Sequence, residues 1–138
     1  MSDNEFGPAI YSTHAENRGG ANGESWVEGG MHVDVRSPLG ENAEAGTNPE
    51  QLLALAWATC LSASARIVAG PGVEVRVRTR ITLHQRLDGA AFEFRAHAEL
   101  HFAGKSEGKA AELAAAAHAR CPVSRMFAGK SSVSVAAV

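Results

Sequence analysis

The longest apolar segment of the chain runs from Leu52 to Ala65 and contains no charged residue. Asn48, Pro49 and Glu50 precede it and form a helix start signal: an N-cap side chain, a proline suited to the first helical position and an acidic first turn. A Gly-Pro-Gly sequence follows and ends the helix. The pattern predicts a helix over 49–69. Because nearly every side of this helix is apolar, it should be buried on nearly every side.

A second pattern, alternation of apolar and polar residues, covers 73–84 and resumes over 92–102. The Asp-Gly pair between the two runs is a strong hairpin signal. Together they predict an antiparallel strand pair with one buried face and one solvated face. For the charged residues of the solvated face, simple solvation is the first interpretation and anion binding the alternative; these residues are Arg76, Arg78, Arg80, Glu93, Arg95 and Glu99.

Weaker patterns predict the remaining elements. They are strands over 9–17 and 25–35 (the second with a Gly-Gly turn), a loop over 37–47, an alanine-rich helix over 105–120, a short helix from the Cys121-Pro122 break to about Ala128, and a strand over 130–138. No regular structure is expected over 1–7. The order β-β-β-α-β-β-α-β predicts an α+β fold in a single domain over 1–138.

Composition narrows the function classes. The 138 residues are 45% hydrophobic with a formal net charge of −2, so a core is feasible and no general attraction to nucleic acid or anionic membranes is expected. The N-terminus lacks the charged-then-apolar layout of an export signal. The uncharged run is shorter than a bilayer span and includes serine and threonine, which favours a core helix. We therefore expect a cytoplasmic protein with reduced cysteines.

The two cysteines are the candidate reactive groups. Cys60 lies in the middle of the predicted central helix, far from a helix terminus. Burial would leave it an inert apolar residue unless a cation is brought from elsewhere. Cys121 precedes Pro122 at the N-cap of the short helix, where free N–H groups favour a thiolate. On these local grounds its thiol should have the lower pKa of the two. The alternative is that Cys121 serves only as a small side chain at the helix break.

Glu50 raises the question of a second subunit. It lies ten residues before Cys60 on the predicted helix, which is about 15 Å and too far for contact within one chain. Two such helices packed antiparallel would bring Glu50 of one subunit beside Cys60 of the partner subunit. A helix apolar on all sides is also easier to bury in a dimer. Both points predict a homodimer.

Histidines and the common catalytic signatures add no further site. His97 and His101 are four residues apart, but on an exposed strand face they lie too far apart to share a tetrahedral metal comfortably. The sequence has no zinc-type spacing, phosphate loop or dinucleotide fingerprint. No metal or cofactor is therefore expected, and no nucleic-acid or membrane partner.

Three motifs together resemble one known family. They are Ala45-Gly46-Thr47-Asn48-Pro49-Glu50-Gln51-Leu52, Ala58-Thr59-Cys60 and Cys121-Pro122-Val123-Ser124, and the predicted element order agrees along the whole chain. In these features the sequence resembles the OsmC/Ohr family of organic hydroperoxide reductases. The resemblance implies an intertwined homodimer, with antiparallel sheets wrapped around two central helices.

The same resemblance implies a thiol peroxidase in which Cys60 is the peroxidatic residue and Cys121 the resolving one. Cys60 would become a sulfenic acid, Cys121 would condense with it to a disulfide, and a dithiol, typically a lipoyl group, would reduce that disulfide. Apolar residues around Cys60 would favour alkyl or fatty-acid hydroperoxides over hydrogen peroxide; the candidates are Ala56, Trp57, Met126 and Phe127.

The chain departs from the hydroperoxide-resistance pattern at one point. Those members carry an arginine after a Gly-Gly pair, salt-bridged to the glutamate that matches Glu50, whereas here Gly19-Gly20 is followed by Ala21. We expect Arg18, just before the pair, to lower the pKa of Cys60, with Arg36 as the alternative. Two other functions remain open: a non-catalytic dimer that binds an apolar ligand in its interface cleft, and an acyl hydrolase with Cys60 as nucleophile.

Overall fold

The computed structural model describes residues 6–138. Of the predicted irregular N-terminus, 1–5 lie outside the described residues, and Phe6 and Gly7 are exposed and irregular. The α+β class is confirmed. In chain order the helices and strands are β1 Ala15–Arg18, β2 Glu24–Val27, β3 His32–Asp34, α1 Pro49–Ala69, β4 Val75–Gln85, β5 Phe92–Phe102, α2 Glu107–Arg120 and α3 Pro122–Phe127.

The chain divides into two compact units, an N-terminal one ending at Leu52 and a C-terminal one from Leu53 to Val138. In the N-terminal unit, strands β1, β2 and β3 form an antiparallel sheet in that order. β1 begins at Ala15 rather than at the predicted residue 9, because its partner β2 ends opposite it at Val27. The predicted glycine turn joins β2 to β3.

Gly46 occupies a position that requires glycine. Beside it, Val35 and Thr47 form a parallel bridge, and the Thr47 N–H donates to the Asp34 carbonyl at 2.8 Å. A Cβ on Gly46 would lie 2.6 Å from that same carbonyl oxygen, closer than real Cβ contacts allow. This glycine therefore has a structural role, since it lets the chain pass β3 on its way into α1.

The bounds predicted for the central helix are confirmed. The Asn48 side chain caps α1 by accepting a hydrogen bond from the Gln51 N–H at 2.8 Å. The expectation that α1 is buried on nearly every side is wrong for the single chain. Leu55 is 65% exposed and Ile67 60% exposed, whereas Leu61 and Ala65 are fully buried. One side of α1 therefore packs in the core and an apolar side faces outward.

α1 is also the one helix within residues 6–138 that is long and apolar enough to cross a membrane. It has 21 residues. The helix extends past both ends of the uncharged run from which a core helix was expected. In the C-terminal unit, the inward side of α1 packs as a core helix.

The C-terminal unit is built on the predicted strand pair. β4 and β5 are antiparallel, in register from Val75 opposite Phe102 to Gln85 opposite Phe92. Their inward side chains and α2 enclose the buried side of α1. The core they form contains Trp57, Leu61, Ala65, Phe102, Leu113, Ala117 and Cys121.

The predicted helices α2 and α3 are confirmed, but the strand predicted over 130–138 is wrong. This segment has no regular structure, and Val133 is 76% and Val135 97% exposed. An alternating pattern forms a strand only where a neighbour accepts and donates its backbone hydrogen bonds. Within residues 6–138, no segment pairs with it in this way.

Candidate active site

The two cysteines lie near each other in the C-terminal unit, where Cys60 packs against the core cluster that contains Cys121. Both are free thiols; Cys60 is half-buried in the middle of α1, and Cys121 is fully buried between α2 and α3. Pro122 starts α3, and the Cys121 sulfur caps it by accepting a hydrogen bond from the Ser124 N–H at 3.4 Å. The break between α2 and α3 therefore brings Cys121 to Cys60.

The environment of Cys60 acts on its ionisation in both directions. Burial raises the pKa of the Cys60 thiol, and the neighbouring Cys121 thiol raises it further through a hydrogen bond and charge repulsion. The Val123 N–H, in the first turn of α3, donates to the sulfur and opposes this rise. Cys60 itself lies in the middle of α1, as expected, and the net effect favours the neutral thiol.

Trp57 and Phe127 form an aromatic wall one turn away from the cysteines. The Trp57 Nε1–H donates to the Ser124 hydroxyl at 2.8 Å, and the two rings meet edge to face with centroids 5.3 Å apart. They border an open cavity of about 470 Å³, lined by Leu53, Trp57, Ile81, Phe94, Ala96, His118, Ser124, Phe127 and Ala128. Of the predicted wall residues, Ala56 and Met126 are exposed and do not line this cavity.

The predicted acidic and basic residues belong to the N-terminal unit, where they have other partners or none. Arg18 donates to Glu24 Oε1 at 2.6 Å, which holds the pKa of that carboxyl below its usual range. Arg36 donates to the Gly23 and Val35 carbonyls at 3.1 and 2.6 Å. Glu50 lies in the first turn of α1 and makes no ion pair with residues 6–138. Their roles toward Cys60 stay predictions.

The sheet of the N-terminal unit also groups residues that the sequence did not single out together. Glu24, His32 and Asp34 present ligand atoms that all lie within 4.8 Å of one another. Strand pairing causes this, since Glu24 lies opposite Asp34 and diagonal to His32. Their separation in sequence resembles no ligand motif, and only the exact register could have indicated the cluster. Because Glu24 already forms an ion pair with Arg18, we assign no metal ion to this cluster.

Comparison with known proteins identifies the family. A family model described as OsmC-like protein matches residues 40–136, which include both cysteines. The chain belongs to the OsmC-like family. A relative from Mycoplasma pneumoniae named organic hydroperoxide resistance protein-like is 33% identical over 124 residues, covering 86% of this chain and 87% of the relative.

Solved structures of OsmC-like proteins share the fold. An organic hydroperoxide resistance protein from Legionella pneumophila superposes with a TM-score of 0.78 at 29% identity, over 89% of this chain and 93% of that one. The organic hydroperoxide resistance protein OhrB of Bacillus subtilis gives 0.76 at 27% identity, over 88% and 93%. The OsmC/Ohr resemblance of the sequence motifs is thereby confirmed, and the names of these relatives indicate a peroxide-related function.

Proposed function

We propose that this protein is a thiol peroxidase that reduces organic hydroperoxides to alcohols. The observation that carries the proposal is the packing of two free thiols, Cys60 and Cys121, in one core built from α1, α2 and α3. A hydroperoxide-oxidised thiol needs a second thiol within reach to form a disulfide before it is oxidised further. The names of the similar proteins support the same substrate class.

The reaction balances with the groups present and one external dithiol. The Cys60 thiolate attacks one peroxide oxygen of ROOH; an S–O bond forms, the O–O bond breaks, and the alkoxide leaves as ROH after taking a proton. Cys121 then attacks the sulfenic sulfur, and hydroxide leaves as water after taking a proton, so that the disulfide forms. A dithiol such as a lipoyl group reduces the disulfide by exchange and is itself oxidised.

The ionisation of Cys60 sets a further requirement. Since burial and Cys121 raise its pKa, a cation is needed to populate the thiolate at neutral pH. Our first assignment for this cation is Arg18 and our second is Arg36. Both are guanidinium groups that stay charged at any working pH.

We also propose that the protein is a homodimer. The outward side of α1 is apolar and uncovered, with Leu55 and Ile67 more than half exposed. Pairing two such sides antiparallel would cover both and would bring Glu50 of one subunit toward Cys60 of the partner subunit. The inward face of the strand pair supports the same conclusion, because Phe92 and Phe94 at its far end are 59% and 46% exposed.

The apolar cavity beside Trp57 supports alkyl or fatty-acid hydroperoxides as substrates. Leu53, Ile81, Phe94 and Phe127 line it together with the indole ring, so an alkyl chain would be desolvated there. Hydrogen peroxide has no apolar part to bury. We therefore expect turnover of tert-butyl and linoleic hydroperoxide to exceed that of hydrogen peroxide, and equal efficiency would contradict this specificity.

Mass spectrometry after one equivalent of organic hydroperoxide tests the mechanism. We expect the wild-type chain to lose two hydrogens and to yield a peptide pair joined through Cys60 and Cys121. In the Cys121→Ser variant the reaction should stop at a sulfenic acid on Cys60 that can be trapped chemically. The Cys60→Ser variant should consume no peroxide. A Cys60→Ser variant with full peroxide consumption would overturn the proposal.

A second function, binding of an apolar ligand without catalysis, is favoured by the same cavity. It predicts saturable binding of a non-peroxide alkyl compound and unchanged thiols after peroxide treatment, so the mass measurement separates the two. The hydrolase alternative needs a general base for Cys60, and no histidine of the sequence stands at a recognisable base position.

A further inference from the structure

The outward face of the β4–β5 pair is a basic surface that the proposed peroxidase does not use. Arg76, Arg78 and Arg80 alternate along β4, and Arg95 lies on β5 opposite Thr82. All four arginines are exposed, while the residues between them on β4 turn inward toward the core. We call these four residues the arginine face.

The arginine face carries an excess of unneutralised charge. Three acidic residues, Glu74, Glu93 and Glu99, share this side of the strand pair, and Glu93 is engaged by Arg86 at 2.6 Å. Within residues 6–138, none of the four arginines forms an ion pair. The chain as a whole has a net charge of −2, so positive charge is concentrated here against the overall balance. Such segregation favours an anionic partner.

The spacing of the arginines selects the form of that partner. Alternate residues on a strand are about 6.7 Å apart, so Arg76, Arg78 and Arg80 make a row with that period. An extended peptide presents alternate side chains with the same period. Three shallow depressions lie between the side chains. One of about 310 Å³ lies beside Arg80 and Arg95, one of about 720 Å³ beside Arg76 and Arg78, and one of about 210 Å³ beside Arg78 and Arg80; Glu99 also lines the last two. Carboxylates entering them could pair with guanidinium groups in two-pronged fashion.

We propose that the arginine face is a docking surface for an extended, acidic segment of another protein, with Asp or Glu at alternate positions. Single-stranded nucleic acid fits less well, because its bases stack on aromatic side chains. The phenylalanine residues of this strand pair, Phe92, Phe94 and Phe102, alternate on the opposite, inward face, whereas His84, His97 and His101 share the side of the arginines. The surface thus offers charge at the right period without phenylalanine, tyrosine or tryptophan rings.

Fluorescence anisotropy with a labelled peptide of alternating Asp and Ser tests the proposal. A length of about 12 residues lets the peptide follow strands of this size. We expect saturable binding that weakens as salt rises, and an increase in Kd of about fivefold or more for Arg78→Glu and for Arg80→Glu. Lys109→Glu, an equal charge change at an exposed site on α2, should leave Kd unchanged. Circular dichroism and the melting temperature verify that each variant is folded.

Several outcomes would overturn the proposal. No binding by the folded wild-type protein would do so, as would an equal loss in Lys109→Glu, which would indicate only a response to net charge. Tighter binding of an oligothymidylate, a DNA duplex or phosphatidylglycerol vesicles than of the peptide would reassign the surface to nucleic acid or lipid. Peroxidase activity need not be present in any of these measurements, so the result does not depend on the proposed function.

Discussion

The indole N–H of Trp57 donates a hydrogen bond of 2.8 Å to the hydroxyl of Ser124, and this bond joins the middle of α1 to α3. Trp57 is 6% exposed and Ser124 1% exposed, so water is nearly excluded from both partners. Trp57 lies one turn before Cys60, and Ser124 lies one turn after Cys121. The bond therefore fixes the two helices at the place where the two thiols meet.

Ser124→Ala should destabilise the fold because it leaves the Trp57 N–H buried without an acceptor. The expected loss is about 1–3 kcal/mol in the free energy of unfolding, measured by urea denaturation. Ser132→Ala, in the exposed C-terminal segment, is the matched control and should change stability by less than about 0.5 kcal/mol. Equal stability of the two variants would show that the hydrogen bond contributes nothing.

Cys121→Ala should make Cys60 more acidic. The hydrogen bond and charge of Cys121 both raise the pKa of Cys60, so removing that side chain lowers it. The thiolate is the species that reacts with iodoacetamide, so the rate of alkylation should rise at lower pH than in the wild type. The Ser132→Ala control should keep the wild-type pH profile. A profile displaced to higher pH in Cys121→Ala would contradict the assigned direction.

Leu55→Lys should convert the proposed dimer to a monomer. The substitution places a charge on the outward apolar side of α1, which would then have to be buried against a second copy. Analytical ultracentrifugation should show a dimer for the wild type and a monomer for the variant. Leu87→Lys, at the fully exposed end of the hairpin, should stay dimeric. A monomeric wild type would refute the dimer itself.

Arg18→Ala should slow peroxide reduction if Arg18 is the cation that serves Cys60. Each unit by which the pKa of Cys60 rises reduces the thiolate at neutral pH about tenfold, so kcat/KM should fall by at least that factor. The pH profile of alkylation should move upward, and Arg18→Lys should restore part of the activity. Arg36→Ala, compared at equal folded fraction, should leave the profile unchanged; the reverse result would assign the role to Arg36.

Local signals in the sequence determined the central helix α1 and the strand pair of β4 and β5. The start signal at Asn48 and the glycine after Ala69 predict α1 to the residue, and strict alternation predicts β4 and β5, because capping and side-chain period act between near neighbours. The motifs around Cys60 and Cys121 were sufficient to recognise the family. These features depend on chemistry within a few residues of each position.

The tertiary structure alone decided what depends on distant neighbours. It set the burial and the neighbours that shift the pKa of Cys60, paired Arg18 with Glu24 and left one side of α1 uncovered. Among residues 6–138 it also gave the segment 130–138 no strand partner. The sequence pattern states that a residue is apolar, charged or able to form a hydrogen bond. Packing between elements that are far apart in the chain decides which neighbour each residue contacts. The same packing sets the ionisation of Cys60 and the surfaces that stay exposed.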